Sequence, residues 1–349
     1  MDEKDLNYPQ PGFKAGPGDL SREVLEKNRC TVCGACVGTC PYFSYQRGRV
    51  AMRDRCGLAR GRCYDFCPMA GARGNFEGEL GACRKVLIAQ ATQADILKRS
   101  QYGGVVSSLA ALALNLGLIG EMILTSGHPE DPPHGIRAVS RSQVIASAGS
   151  RYAASGAAAA LNEALAEPSR HPLGMVGLPC QIKAAAAMRR AAAADVKFDP
   201  GRIKILIGLF CTWALDFRQL EVYLKYMLFG ERASGFDIPP PPADVFKVYT
   251  GDGIKAFPLA EIRPMRLNAC RFCDDMTAVM ADISVGSVEG LEGWNTVIVR
   301  TKAGEKLLNL ALEKKILQVD EFPARDLEHL KEASLNKKER SRSAWESEG

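Results

Sequence analysis

Gly174-Met-Val-Gly-Leu-Pro-Cys-Gln-Ile-Lys-Ala-Ala-Ala-Ala-Met-Arg-Arg190 passes from a short apolar run straight into alanine-rich helix formers. The first five residues read as a buried strand, and Gln181 to Ala194 as a helix. The same alternation repeats on both sides. Glu121-Met-Ile-Leu-Thr, Lys204-Ile-Leu-Ile-Gly-Leu-Phe and Thr296-Val-Ile-Val-Arg read as further buried strands. Residues 105–116, 156–167, 217–229 and 305–315 carry helical patterns. Strand followed by helix, repeated, predicts an α/β domain with a largely parallel sheet over residues 84–323.

Outside that domain the texture differs. Residues 1–20 are rich in Pro and Gly and read as an extended arm, and residues 21–83 hold eight of the twelve cysteines. Pro239 to Pro242 read as a stiff loop. From residue 324 the chain is charged, with no apolar periodicity, and is expected to be a loosely held or partner-docked tail.

Cys30-Thr-Val-Cys33-Gly-Ala-Cys36-Val-Gly-Thr-Cys40-Pro41 is a C-x2-C-x2-C-x3-C-P run. Three close thiolates on one curling loop reach three irons of a 4Fe–4S cube, and the fourth cysteine ligates a second cluster. A second run is incomplete: Cys56, then Cys63-Tyr-Asp-Phe-Cys67-Pro68. Cross-ligation groups Cys67 with Cys30, Cys33 and Cys36, and Cys40 with Cys56 and Cys63. The fourth ligand of that second set is either Cys83 or absent, Cys83 then being a small buried hydrophobe.

Four more thiols follow. Cys180 and Cys211 end predicted strands, and Cys270-Arg-Phe-Cys273 lies in a predicted loop. Parallel strand ends converge on one sheet edge, so the four could meet at one cluster. Alternatively, Cys180 and Cys211 are core residues and Cys270 and Cys273 form a zinc knuckle. Ser100-Gln-Tyr-Gly103-Gly104-Val105 sets two glycines before a helix, where free N–H groups favour a phosphate. Ser150-Arg151 could add a cation. A plain turn and a surface arginine are the blander readings.

The bulk properties exclude several classes. A net charge of +5 is too small and dispersed to argue for nucleic acid. The run from Val105 to Ile119 is broken by polar residues and falls short of the roughly 20 apolar residues of a membrane span. The acidic and basic start, Met1-Asp-Glu-Lys-Asp, is not a secretory signal. Twelve thiols in such a chain read as metal ligands in a reducing cytoplasm. His128, His134, His171 and His329 show no metal or catalytic spacing.

Taken in order, these motifs resemble the beta subunits of coenzyme F420-dependent hydrogenases and formate dehydrogenases. The resemblance runs from Cys30 to Ala311. Besides the cysteine runs it rests on Gln101-Tyr-Gly-Gly-Val-Val-Ser-Ser-Leu, Gly149-Ser-Arg-Tyr, Gly177-Leu-Pro-Cys-Gln, Gly208-Leu-Phe-Cys, Cys270-Arg-Phe-Cys-Asp-Asp, Ala281-Asp-Ile-Ser-Val-Gly and Gly293-Trp-Asn-Thr-Val-Ile-Val-Arg-Thr. It implies an N-terminal ferredoxin-type module followed by an α/β domain holding FAD beside a 4Fe–4S cluster. It makes Cys180, Cys211, Cys270 and Cys273 cluster ligands. Ser100, Gln101, Tyr102, Gly103, Gly104, Val105, Ser150, Arg151, Gly177, Pro179 and Gln181 become flavin contacts. The implied role is an FAD- and iron–sulfur-dependent oxidoreductase subunit with two or three clusters. It would exchange electrons between F420 or NAD(P)H and a larger complex such as a hydrogenase, formate dehydrogenase or heterodisulfide reductase. A flavin-free electron-transfer subunit and a ferredoxin-dependent reductase of an organic substrate are the rival expectations.

Overall fold

A computed structural model describes residues 15–72, 78–191 and 198–348. Its N-terminal cysteine region is looped around a small hairpin, β1 (Phe43–Gln46) and β2 (Arg49–Met52). The strands that follow are β3 (Lys85–Ala91), β4 (Glu121–Ser126), β5 (His134–Ala138), β6 (Leu173–Gly177), β7 (Ile203–Leu209), β8 (Gly235–Asp237), β9 (Val245–Thr250), β10 (Gly253–Pro258), β11 (Ile283–Ser287), β12 (Asn295–Val299) and β13 (Leu317–Glu321). The helices of ten residues or more are α1 (Val105–Asn115), α2 (Ala157–Ala166), α3 (Pro179–Arg190), α4 (Phe217–Met227), α5 (Lys302–Glu313) and α6 (Ala324–Ser347).

Eight strands form one sheet in the order β13-β3-β12-β11-β7-β6-β4-β5. Only its centre is parallel: β11 with β7, β7 with β6, and β6 with β4. The flanking pairings are antiparallel, so the expected parallel sheet is realised in the four central strands. The reason is loop length. A parallel crossover needs a dozen residues or more, and the links between β4 and β5 and between β11 and β12 are too short to make one.

Helices cover both faces. α1 and α5 bury Leu109, Leu112, Leu307 and Leu308 against one side of the sheet. α2 and α3 bury Leu161, Leu165, Ile182 and Met188 against the other. The alanine run of α3 is a contact surface: Ala184, Ala185 and Ala186 are buried, and their small side chains let the helix approach closely. The run's predicted end at Ala194 falls outside the described residues. β8, β9 and β10 form a separate small sheet that packs Phe236, Phe246 and Val248 against Phe217, Leu220 and Leu224 of α4.

The cysteine region does not stand apart. Cys33, Ala35, Phe66 and Ala72 belong to the same buried cluster as α2 and α3. Gly34 has φ +87, and a Cβ there would lie 2.5 Å from the Gly156 carbonyl oxygen. Only glycine can take that backbone conformation at that closeness without strain. The Asn162 amide of α2, itself buried, donates to the carbonyls of Ala35 (2.8 Å) and Val37 (2.7 Å). The loop is therefore clamped to a helix of the α/β domain.

The charged tail is also not loose. Residues 324–347 form the 24-residue helix α6. Ser334, Lys337, Ser341 and Ala344 are its buried residues, spaced on one helical face. These residues are mostly polar, so no apolar period marks the contact. Ser341 donates to the Phe272 carbonyl at 2.8 Å, and the Trp345 indole N–H to the same oxygen at 3.1 Å. The Trp345 ring meets Phe272 edge-on at 5.0 Å and carries the Arg29 guanidinium at 4.3 Å. Residues 1–14, which hold most of the predicted arm, lie outside the described residues.

Candidate functional site

The cysteines fall into neighbouring sets. Burial pushes the Cys36 thiol well up, and Cys30, Cys33 and Cys67 push it further. Cys67 is raised in the same way, by burial and then by Cys33 and Cys30. Cys30 is pushed up to about 12 by burial and by Cys33. These four, three from the first run and one from the second, crowd one place. Cys63 is pushed up to about 11 by burial, with Cys40 and Cys56 adding to it. The structure thus brings Cys67 of the second run beside Cys30, Cys33 and Cys36, and Cys40 of the first run beside Cys63. Cys83 is not among the thiols that raise Cys63; it is exposed, two residues before β3.

The third set is assembled by tertiary structure. Cys180 lies in the first turn of α3, Cys211 just beyond β7, and Cys270 and Cys273 around the short 3-10 helix Asn268–Phe272. All four line one small enclosed cavity, together with Pro179, Gln181, Thr31 and Lys337. Burial raises Cys180 well above the ordinary thiol value, and Cys33, Cys273, Cys211 and Cys270 add to the rise. Cys33 thus neighbours both its own set and this one. The Cys270 sulfur accepts the Ala214 N–H at 3.3 Å, and the Cys30 sulfur accepts that of Val32 at 3.4 Å.

Buried thiols with raised pKa values resist ionisation unless a cation compensates them. Cys180, Cys211, Cys270 and Cys273, converging on one cavity, offer four sulfur donors of the kind a metal cluster needs. Among the described residues no group of His, Cys, Asp or Glu side chains is arranged to hold a single metal ion.

A second cavity, of about 690 Å³, opens along the strand ends. Its size falls in the range of small-molecule and cofactor sites, roughly 300–1,000 Å³. Ser100, Gln101, Tyr102, Gly104, Val105, Ser150, Arg151, Gly177 and Gln181 line it. Two expected contacts do not: Pro179 faces the cysteine cavity, and Gly103 is packed away. A Cβ at Gly103 would lie 2.9 Å from the Ala89 carbonyl oxygen and 2.8 Å from Asn295 Oδ1, so that glycine serves the packing of the turn on β3 and β12. Gly104, at φ +72, caps α1 and turns its N-terminus toward the cavity.

Several residues at this cavity lie outside the expected set of contacts. Tyr152 is held at φ +54, and its hydroxyl accepts from Gln101 Nε2 (2.9 Å) and from the Ile238 N–H (2.8 Å). Buried Asp237 accepts from Gln101 and, at 3.1 Å, from the Tyr102 hydroxyl. This network ties the Ser100–Tyr102 turn to β8. Pro239, Pro240 and Pro241 form part of the wall, and α6 contributes Leu330, Ala333 and Arg340. Arg151 donates to the Gly127 carbonyl at 2.8 Å and the Gly149 carbonyl at 3.0 Å, which fixes its guanidinium at the rim. Burial pulls its pKa below the ordinary arginine value.

The two cavities share a partition. Ser155, Leu178, Gln181, Cys211 and Ala214 line both. Gln181 is the rigid post between them: its Oε1 accepts the Leu178 N–H at 2.8 Å, and its Nε2 donates to the Ser155 carbonyl (2.8 Å) and hydroxyl (2.9 Å).

Comparison with known proteins follows the same lines. The family described as coenzyme F420 hydrogenase/dehydrogenase, beta subunit N-term, matches residues 86–162, and its C-terminus counterpart matches residues 171–325. The chain is 32% identical over 244 residues to the coenzyme F420 hydrogenase subunit beta of Methanothermobacter thermautotrophicus, covering 68% of this chain and 85% of that one. It is 29% identical to an F(420)H(2) dehydrogenase component of Methanosarcina mazei, over 87% of this chain and 88% of that one. A chain of the xenon-derivatised F420-reducing [NiFe] hydrogenase complex from Methanosarcina barkeri superposes with a TM-score of 0.69 at 25% identity, covering 78% of this chain and 95% of that one. Among the described residues no helix is long and apolar enough to cross a membrane.

Proposed function

We propose, on the premise that the chain belongs to the family of coenzyme F420 hydrogenase/dehydrogenase beta subunits, which are parts of oxidoreductases, that it is an iron–sulfur flavoprotein subunit exchanging electrons between reduced coenzyme F420 and a larger redox complex. The observation that carries this reading is the shared partition: a cofactor-sized cavity abuts an enclosed four-cysteine cavity, and Cys33 brings a second thiol set beside it.

FAD bound in the large cavity would supply the conversion between two-electron hydride chemistry and one-electron transfer. The chain's residues do the rest. The N-terminus of α1, beyond Gly104, presents free backbone N–H groups and the positive end of the helix dipole to a pyrophosphate. Arg151 adds a fixed cation at the same cavity. Gln181, held by three hydrogen bonds, keeps the partition rigid. Cys180, Cys211, Cys270 and Cys273 would hold one 4Fe–4S cluster, Cys30, Cys33, Cys36 and Cys67 a second, and Cys40, Cys56 and Cys63 part of a third. Thiolate ligation, N–H···S bonds and burial then set the potentials.

Coenzyme F420 is preferred to NAD(P)H as the two-electron carrier because the relatives' names cite it. The partner is a complex of the kind named for the Methanosarcina barkeri relative. Anaerobic purification with iron, acid-labile sulfide, zinc and FAD measured per chain tests the reading. About eight to twelve irons with one FAD support it. Iron without flavin after reconstitution leaves an electron wire, and zinc without iron refutes it.

A further inference from the structure

Lys337 is 3% exposed. It projects from α6 into the cavity lined by Cys180, Cys211, Cys270 and Cys273. Its Nζ donates to the Cys211 carbonyl at 2.7 Å and to the Asp275 carbonyl at 2.9 Å. Neither partner is an anion. Among the described residues no carboxylate lies within ion-pair distance of it. The nearby Asp274 pairs instead with Lys183 at 3.2 Å, and the Asp275 carboxylate accepts from the Val279 N–H. A buried ammonium bonded only to neutral groups costs several kcal/mol unless negative charge is close. The groups able to supply that charge are, first, the thiolates whose cavity it lines and, more weakly, the buried Asp275 carboxylate.

We propose that Lys337 is a positioning residue that sets the potential of the cluster held by Cys180, Cys211, Cys270 and Cys273. This rests on the cluster assignment made above and goes beyond it. Adding one electron to a thiolate-ligated cluster adds one negative charge in a site shielded from solvent. A fixed buried cation favours that reduced state and so raises the potential, making this cluster the better acceptor for electrons arriving from the adjoining cofactor cavity. α6 delivers the charge, and its docking through Ser341 and Trp345 on Phe272 lies within the Cys270–Cys273 loop itself. Residue 337 lies beyond the 171–325 segment that the family model matches.

The test is an EPR-monitored redox titration of the full-length chain, reconstituted anaerobically with iron, sulfide and FAD. Lys337→Gln keeps a hydrogen-bond donor and removes the charge. It should move one cluster to lower potential, so that at the wild-type midpoint the reduced-to-oxidised ratio falls at least tenfold, about 59 mV for one electron. The remaining clusters should stay in place. Lys337→Arg keeps the charge while changing the geometry of both carbonyl bonds. It should titrate within about threefold of wild type, and it decides alone if the glutamine variant fails to load. A wild-type midpoint in Lys337→Gln, or an equal downward shift in Lys337→Arg, overturns the proposal. A Cys180→Ser/Cys270→Ser protein that retains all wild-type iron and sulfide would instead refute the cluster assignment.

Discussion

Replacing Asn162 by alanine should loosen the first cysteine loop without touching a thiol. The buried Asn162 amide supplies the hydrogen bonds to the Ala35 and Val37 carbonyls, at 2.8 and 2.7 Å. The Val37 carbonyl losing this donor costs about 1–3 kcal/mol, and the Ala35 carbonyl, which keeps the Thr39 hydroxyl at 2.9 Å, adds about 0.5–1.5 kcal/mol. Water entering the space vacated by the side chain recovers part of this, leaving a net cost of about 2–3 kcal/mol. At about 1.4 kcal/mol per tenfold, the open form of the loop becomes roughly 30- to 150-fold more populated. Hydrogen–deuterium exchange read by mass spectrometry on peptides covering residues 33–39 and 156–162 measures that opening. Exchange there should accelerate by one to two decades, while peptides from β7 and β11 stay unchanged. Iron release to a chelator under anaerobic conditions should rise in parallel. Unaltered exchange at 33–39 would refute the claim that α2 holds the loop.

Other consequences follow from single contacts. Arg300 is fully buried and donates to Ser284 and to the carbonyls of Leu80, Ala82 and Thr277. Arg300→Met takes this donor from the Ala82 and Thr277 carbonyls, and from Leu80, which keeps the Thr277 hydroxyl at 3.4 Å; it should cost about 3–5 kcal/mol, seen as a lower thermal midpoint. Gly103→Val places a side chain against Ala89 and Asn295; flavin content should fall while the iron bound by residues 30–67 is retained. Trp345→Ala removes the edge contact with Phe272 and the Arg29 stack, and limited proteolysis should then cut within α6 at protease levels that spare the wild type. The Arg137 guanidinium bonded to Glu167 holds that carboxyl below its ordinary value of 4.5. A depressed folded-state pKa contributes stability above pH 4.5 that is lost as pH falls through the lowered value. The acid-side drop in thermal midpoint should therefore be shallower in Glu167→Gln, a small difference because the pair is solvent-screened.

Local signals in the sequence determined the central strands β4, β6, β7 and β12 and the helices α1 to α5, because each carries its own apolar run or helical period. They also indicated which cysteines of the first two runs lie together, since C-x2-C-x2-C-x3-C-P and C-x3-C-P are spacings written on contiguous loops. The mixed sheet depended on β3, β11 and β13, whose places are set by long-range pairing, and on β5, which turns back on β4 through a short link. The third thiol set was legible only as an inference about strand ends, because Cys180, Cys211, Cys270 and Cys273 span more than ninety residues of chain. Only the tertiary structure decided that α6 docks at all. Its buried face is Ser334, Lys337, Ser341 and Ala344, residues that have no reason to leave water until the Phe272 carbonyl, the Cys211 carbonyl and the cysteine cavity are already assembled to receive them.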